Sequence, residues 1–166
     1  VKLKKDYVDA LGDSLDLVVI GGWQGQGRKS KWVSPILVAT RDPETEVLGS
    51  VCRVMSGFTD VFYKDFTTRA LGAEIGADAP AGDGAVLLRD SPAPGVDTGE
   101  RCLFWFEPRL VWEIRGADLS VSPTHRAAVG LVHESRGISL RFPRFIRERP
   151  DKTVEMACTP GELAAK

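Results

Sequence analysis

Gly137-Ile138-Ser139-Leu140-Arg141-Phe142-Pro143-Arg144-Phe145-Ile146-Arg147-Glu148-Arg149-Pro150-Asp151-Lys152 is the stretch on which the reading of this chain turns. Its first half alternates. Ile138, Leu140 and Phe142 fall on one side of an extended backbone and Ser139 and Arg141 on the other, the period of two that marks a strand with one buried face. Pro143 has no amide hydrogen to give to a ladder and interrupts it. Beyond the proline, Arg144, Arg147, Arg149 and Lys152 are interleaved with Phe145 and Ile146, a pattern that suits a surface meeting phosphates while apolar neighbours anchor its backbone. Residues 136–152 carry six basic and two acidic side chains, net +4, in a chain whose formal net charge is −1.

A chain of 166 residues, 43% of them hydrophobic, is long enough for one domain with a sizeable core. No apolar run approaches the roughly 18 to 20 residues that span a bilayer, and no charged-then-apolar leader opens the sequence, so a soluble, membrane-independent protein is expected. Val1 is not methionine and stands inside a strand-like pattern, from which a longer parent extending upstream is expected. Cys52, Cys102 and Cys158 are odd in number and widely spaced, which points to a reducing compartment. Neither His125 nor His133 stands in ligand spacing with a cysteine, so no metal site is predicted. Charge is segregated along the chain: Lys2, Lys4 and Lys5 open it, Arg28, Lys29 and Lys31 cluster, and residues 74–100 hold six acids against Arg89. Separate basic patches of this kind let one face meet a polyanion without a high pI.

Lys2 and Lys4 project from the same side of an opening strand, about 7 Å apart at the backbone, which suits one phosphate or carboxylate, although on pattern alone a lysine-protected sheet edge is the better reading. Residues 9–13 read as a turn. Leu15-Asp16-Leu17-Val18-Val19-Ile20 is a strand running into Gly21-Gly22-Trp23-Gln24-Gly25-Gln26-Gly27-Arg28-Lys29-Ser30. A phosphate-cradling loop needs lysine directly after its second glycine and a helix beyond. Here Arg28 follows Gly27, Lys29 comes one place late, and another strand, 33–40, follows, so a long flexible basic hairpin loop is the better reading. Residues 36–40 and 46–54 flank the turn Asp42-Pro43-Glu44-Thr45 and are expected to pair. A helix is predicted over 60–71, with Val61, Phe62, Phe66 and Ala70 on its inner side. Residues 72–101, rich in Gly, Ala, Pro and Asp, read as an acidic surface loop with at most a short strand at 85–88.

Strands are expected again at 102–106 and 110–115, a strand end and turn at 117–123, and strands at 129–132 and 137–142. Phe104, Trp105, Phe106 and Trp112 are better placed in a core than stacked on bases. Short strands with one intervening helix and large loops give a mainly β fold, an oligonucleotide/oligosaccharide-binding (OB) Greek-key barrel with one or two short helices and long loops.

Taken in order, Leu3-Lys4-Lys5-Asp6-Tyr7, Asp16-Leu17-Val18-Val19-Ile20-Gly21, Gly57-Phe58-Thr59-Asp60, Val111-Trp112-Glu113-Ile114, Ala117-Asp118-Leu119-Ser120-Val121-Ser122-Pro123 and the opening stretch resemble the C-terminal OB domain of ATP-dependent DNA ligases, the replicative eukaryotic type above all. The resemblance runs from Val1 to about Glu155. It implies a single domain over 1–166, with 1–7 the tail of a nucleotidyltransferase domain lying upstream. It also implies nucleotide contacts from Lys2 and Lys4, and a role for Arg149, Asp151 and Lys152 in orienting the pyrophosphate that leaves ATP. Arg141 and Phe142 are by resemblance placed in the DNA minor groove beside a nick, where an apolar wedge unstacks the duplex at a cost of a few kcal/mol. Arg144, Arg28 and Lys29 join them as candidate DNA contacts on charge. No Lys-x-Asp-Gly motif occurs here, so the nucleophilic lysine, the magnesium carboxylates and turnover itself are expected in the upstream part. ATP and magnesium as cofactors, nicked duplex DNA and the upstream domains as partners, a monomer, and a nuclear place in replication, repair and recombination complete what the likeness implies. Two other readings remain open at this point: a stand-alone nucleic-acid-binding OB module, and the OB domain of an mRNA-capping guanylyltransferase.

Overall fold

The computed structural model describes residues 14–71, 74–75, 88–89, 91–98, 100–116, 118–122, 137–141 and 143–159. Lys2, Lys4, Phe142, the 9–13 turn and the strand expected at 129–132 lie outside the described residues, as does most of 72–87. Strand β1 spans Leu15–Gln24 and β2 spans Val33–Arg41, paired antiparallel with Val19 opposite Val38 and Gln24 opposite Val33. β1 thus runs four residues beyond the strand expected from its β-branched run, straight through Gly21 and Gly22. These glycines serve close approach. A Cβ on Gly21 would come within 2.5 Å of the Cys102 sulfur, and one on Gly22 within 2.5 Å of Val33 Cγ1. The expected long flexible loop therefore shrinks to 25–32. A 3₁₀ turn at Gly27–Lys29 fills it, and it is closed by the Gly25 N–H on the Trp32 carbonyl (3.0 Å) and the Gln24 amide on the Ser30 carbonyl (2.9 Å).

β3, Leu48–Val54, completes the predicted hairpin with β2, and Arg41 faces Leu48 across the turn. Asp42 builds that turn by accepting the Glu44 N–H at 2.8 Å, the local bond that suits aspartate to turns. Helix α1, Asp60–Leu71, has the predicted bounds, and the Thr59 hydroxyl caps it by accepting the Phe62 N–H at 3.1 Å. Its buried stripe is Tyr63, Phe66, Thr67, Ala70 and Leu71, whereas Val61, expected inside, is 79% exposed. The stripe keeps the helical i, i+3, i+4, i+7 spacing but starts at Tyr63, which burial tolerates because the Tyr63 hydroxyl bonds Ser34 (3.1 Å) and the Met55 carbonyl (3.2 Å).

The remaining strands are β4 (Leu88–Arg89), β5 (Val96–Asp97), β6 (Phe104–Phe106), β7 (Val111–Arg115), β8 (Asp118–Ser122), β9 (Gly137–Arg141) and β10 (Arg144–Glu148). The described part of the expected surface loop 72–101 is woven into the sheet, because β5 pairs parallel with β3, β4 pairs with β6, and Ala93 is buried. Residues 117–123, expected as a strand end, supply β8, which pairs along its whole length with β9 from Asp118↔Arg141 to Ser122↔Gly137. Neighbouring strands run β10-β7-β1-β2-β3. The run closes on itself where the chain leaves β3: the Phe145 N–H of β10 donates to the Ser56 carbonyl at 2.9 Å, and the Ser56 hydroxyl to the Pro143 carbonyl at 3.0 Å. A closed five-stranded barrel with a helix between its third and fourth strands is the OB architecture.

The barrel core is aromatic. Trp112, Phe66 and Phe106 are fully buried. Phe58, Phe62, Phe66 and Phe145 all lie within 5.6 Å of the Trp112 ring centre. A second apolar cluster, Val18, Ile20, Leu37, Ala39, Leu48 and Ala157, lies on the other face of β1 and β2 under Trp23, Trp105, Val96 and Val154. Cover on both faces explains why residues 17–20 are continuously apolar instead of alternating. None of the three cysteines is bridged, and burial pushes the Cys102 thiol up to about 12.

Candidate functional site

The nucleotide candidates at the end of the opening stretch are brought together. The Arg149 N–H of the backbone donates to the Val111 carbonyl at 2.8 Å, so the chain leaving β10 stays on the barrel wall, and the Lys152 N–H closes a turn onto the Arg149 carbonyl at 3.1 Å. Pro150 occupies that turn, where its missing N–H costs no ladder bond. Across the turn, Arg149 grips Asp151 with Nε on Oδ1 at 3.1 Å and Nη2 on Oδ2 at 3.0 Å, a bidentate pair. That pair holds the Asp151 carboxyl down to about 2.

Two acids absent from the sequence-based site, Asp16 and Glu113, complete the arrangement. Asp16, on β1, accepts Lys152 Nζ at 2.6 Å and Arg149 Nη1 at 3.4 Å. Glu113, on β7, accepts Arg147 Nε at 2.7 Å and the Ser14 hydroxyl, and stands 3.8 Å from Arg149. Arg147, then Ser14, hold the Glu113 carboxyl below the usual carboxylate range. The signal for Asp16 and Glu113 was present in the sequence, since each is the lone acid at an outward position of an apolar strand. What the sequence lacked was the pairing Asp16↔Glu113 that sets the two side by side. Lys152 also lines a groove of about 440 Å³ whose other charged walls are Arg41 and Arg109 on the basic side and Glu46 and Glu155 on the acidic side.

The sign of the pH response follows from these shifts. Both carboxyls titrate lower in the folded chain than the ~4 of an unfolded one, so their stabilisation is complete above about pH 5 and is lost as pH falls through the folded values. Denaturant titrations at pH 7, 4 and 2.5 are expected to show midpoints falling in that order, with a smaller fall for Asp151→Asn. Because Asp151 is exposed, water screens the pair and the change per residue is small.

Of the DNA candidates, Lys29 and Arg144 are brought to the same segment. Arg144, at the start of β10, is exposed, and its Cγ would lie 2.9 Å from a Cβ on Gly57. Lys29 Nζ reaches the Met55 carbonyl at 3.5 Å and lies 5.1 Å from the Tyr63 ring centre. Residues 55–57 therefore lie between Lys29 and Arg144. Arg28 pairs with Asp60 at 2.7 Å, and both side chains remain exposed. Arg141 ends β9 opposite Asp118, one residue before Phe142. An aromatic cation pair missed in the sequence lies nearby: Arg53 sits 4.2 Å from the Trp23 ring centre and forks onto Glu100 at 2.5 and 2.6 Å.

For a triphosphate, the donor chemistry fits. Lys152 supplies an ammonium beside an open groove, and Arg149 presents a planar guanidinium next to it. For magnesium, no group of three or more acidic, histidine or cysteine side chains that could hold a metal occurs among the described residues. No described helix is long and apolar enough to cross a membrane.

The profile of the family described as "ATP dependent DNA ligase C terminal region" matches residues 29–152, ending on Lys152. DNA ligase 6 of Arabidopsis thaliana is 50% identical over 164 residues, which is 99% of this chain and 11% of that protein. DNA ligase 1 of Drosophila melanogaster is 46% identical over 166 residues, 99% of this chain and 20% of that protein. The DNA ligase of Sulfurisphaera tokodaii is 37% identical over 163 residues, 98% of this chain and 25% of that protein. The chain thus spans between 11% and 25% of the length of these relatives. Among solved structures, the ligase domain of M. tuberculosis LigD aligns with a TM-score of 0.59 at 20% identity, covering 87% of this chain and 38% of that one. A mycobacterial DNA ligase D complexed with ATP and MES aligns at 0.54 with 21% identity, covering 89% and 38%. At these identities the likeness carries the fold.

Proposed function

The chain belongs to the ATP-dependent DNA ligase C-terminal region family, and from that premise we propose that it is the OB domain of a ligase that seals nicks in duplex DNA. The observation that carries the reading is the joint position of Arg149, Asp151 and Lys152 on one turn, at the limit of the matched region. In this reading ATP supplies the activated phosphoanhydride. Lys152 and Arg149 bring positive charge to its phosphate oxygens, a contribution that grows as charge develops on the departing pyrophosphate. Asp151 fixes the plane of the Arg149 guanidinium. Lys2 and Lys4 are proposed at the adenylate, with the nucleophilic lysine and magnesium held by the upstream nucleotidyltransferase domain.

On the other side, Arg141 and Phe142 are proposed for the minor groove at the nick, with Arg144, Arg28 and Lys29 on the flanking phosphates. Contacts of the latter kind make affinity fall steeply with salt and carry little sequence preference. The parent is proposed to act as a monomer and, in a eukaryotic cell, in the nucleus. Membership of the ligase family, together with the three relatives above that are named DNA ligases, argues against the guanylyltransferase reading.

The test is the Lys152→Ala variant of the full-length protein. ATP-dependent sealing of a nicked duplex is expected to fall about 100-fold, the scale of removing one preorganised charge from a transition state. Sealing of a nick that already carries AMP on its 5′-phosphate is expected to fall less than about 5-fold, since the pyrophosphate has then already left. Equal losses on both substrates would remove Lys152 from the ATP step, and a full-length protein that seals no nicks would overturn the function.

A further inference from the structure

Asp16 has no part in the reading above beyond its contacts. It stands on β1 between Leu15 and Leu17, both buried, so its side chain faces away from the barrel core. The backbone on either side is fixed by pairing with β7, and the Asp16 carbonyl accepts the Cys158 N–H at 2.7 Å. A carboxylate so mounted cannot drift. It draws in two cations from 133 and 136 residues away, Arg149 at 3.4 Å and Lys152 at 2.6 Å. The Arg149–Asp151 pair, two residues apart, forms within a single turn, whereas the Lys152 ammonium is held by Asp16 alone among the described residues. Arg147, Arg149 and Lys152 face Asp16, Glu113 and Asp151, so the cluster is electrically neutral as it stands.

A neutral cluster has little long-range pull on an anion. Lys152 and Asp16 are only partly shielded, with side chains 30% and 18% exposed, so solvent and solutes reach the pair. We infer that Asp16 is a positioning residue that holds Lys152 and Arg149 in reserve, and that a phosphate group in the adjoining groove engages them by displacing the Asp16 carboxylate. The ligand class is a pyrophosphate or the polyphosphate tail of a nucleotide, whose greater charge per oxygen cluster wins the exchange at an ammonium. The inference rests on the phosphate role proposed for Lys152 and adds the internal competitor that sets its threshold. Replacing Asp16 by asparagine keeps shape and a carbonyl acceptor while leaving the cluster with one net positive charge.

Inorganic pyrophosphate is the probe, titrated into the full 166-residue chain by calorimetry at low salt. Asp16→Asn is expected to bind it roughly 5-fold tighter than the parent, the scale of one unit charge a few ångströms away at a high effective dielectric. Asp16→Glu is expected to return to parental affinity, and Asp16→Asn with Lys152→Ala to lose the gain. A purely structural Asp16 would lower the melting temperature of Asp16→Asn without tightening pyrophosphate. That result, or no pyrophosphate binding by either protein, overturns the inference. The parent chain supplies a readout that needs no variant: in nitrogen- and carbon-detected NMR, pyrophosphate is expected to move the Lys152 Nζ and Asp16 carboxyl resonances together, and binding that moves neither overturns it. These results are independent of nick sealing by the full-length protein, so failure of the ligase reading and failure of the Asp16 exchange are told apart.

Discussion

Trp112→Ala is expected to lower the unfolding free energy by about 3 to 5 kcal/mol, the range for deleting a large buried aromatic, and thereby to leave the domain marginal at ambient temperature. Trp112 is fully buried on β7, and four phenylalanines from three segments converge on it: Phe58, Phe62 and Phe66 from the helix and its approach, and Phe145 from β10. Removing the indole therefore opens a cavity where the helix meets the barrel, and the rigid strands on either side prevent its collapse. Trp112→Phe is the informative partner. The indole Nε1 has no hydrogen-bond partner among the described residues, so phenylalanine removes an unsatisfied donor while keeping most ring contacts. Its cost is expected to be less than half that of alanine. Guanidinium titrations of the parent and both variants check this, and equal losses for Phe and Ala would show that the ring contacts contribute little.

Gly57→Ala is expected to cost about 2 to 4 kcal/mol, although it adds a single methyl group to a surface turn. Gly57 has φ +94°, where a Cβ is strained, and an ideal Cβ would lie 2.3 Å from the Phe145 carbonyl oxygen and 2.8 Å from its nitrogen. The two nearest atoms are backbone and cannot swing aside; the third, Arg144 Cγ at 2.9 Å, belongs to an exposed side chain that can. The same Phe145 N–H donates to the Ser56 carbonyl, the bond that closes the barrel between β3 and β10. Gly57→Ala is thus expected to loosen closure and speed exchange of the Phe145 amide beyond the change in global stability. Hydrogen exchange followed by NMR checks this; Gly95→Ala, also at positive φ but with 3.1 Å to its nearest backbone atom, is expected to be milder.

Much of the barrel was legible along the chain. The hairpin around Asp42, the bounds of α1 and the strand at 111–115 followed from turn chemistry, capping and alternation, which are local and act within a few residues. Where those rules failed, a distant partner had changed the environment. Gly21 and Gly22 read as a loop until β6 crossed them, and Val61 read as core until the stripe was fixed by Tyr63 finding Ser34 and Met55. Val96 and Asp97 read as surface because parallel pairing to β3 leaves no mark on composition.

The candidate site divides the same way. The sequence by itself determined the basic stretch, its proline break, and the single turn on which Arg149 meets Asp151, because those contacts span two residues. Only the tertiary structure decided that Asp16 from β1 and Glu113 from β7 neutralise that stretch, that a groove opens beside Lys152, and that Ser56 and Phe145 close the barrel. The physical reason is that a charge or a donor is local property, whereas its partner here lies up to 136 residues away and is chosen by strand order and register.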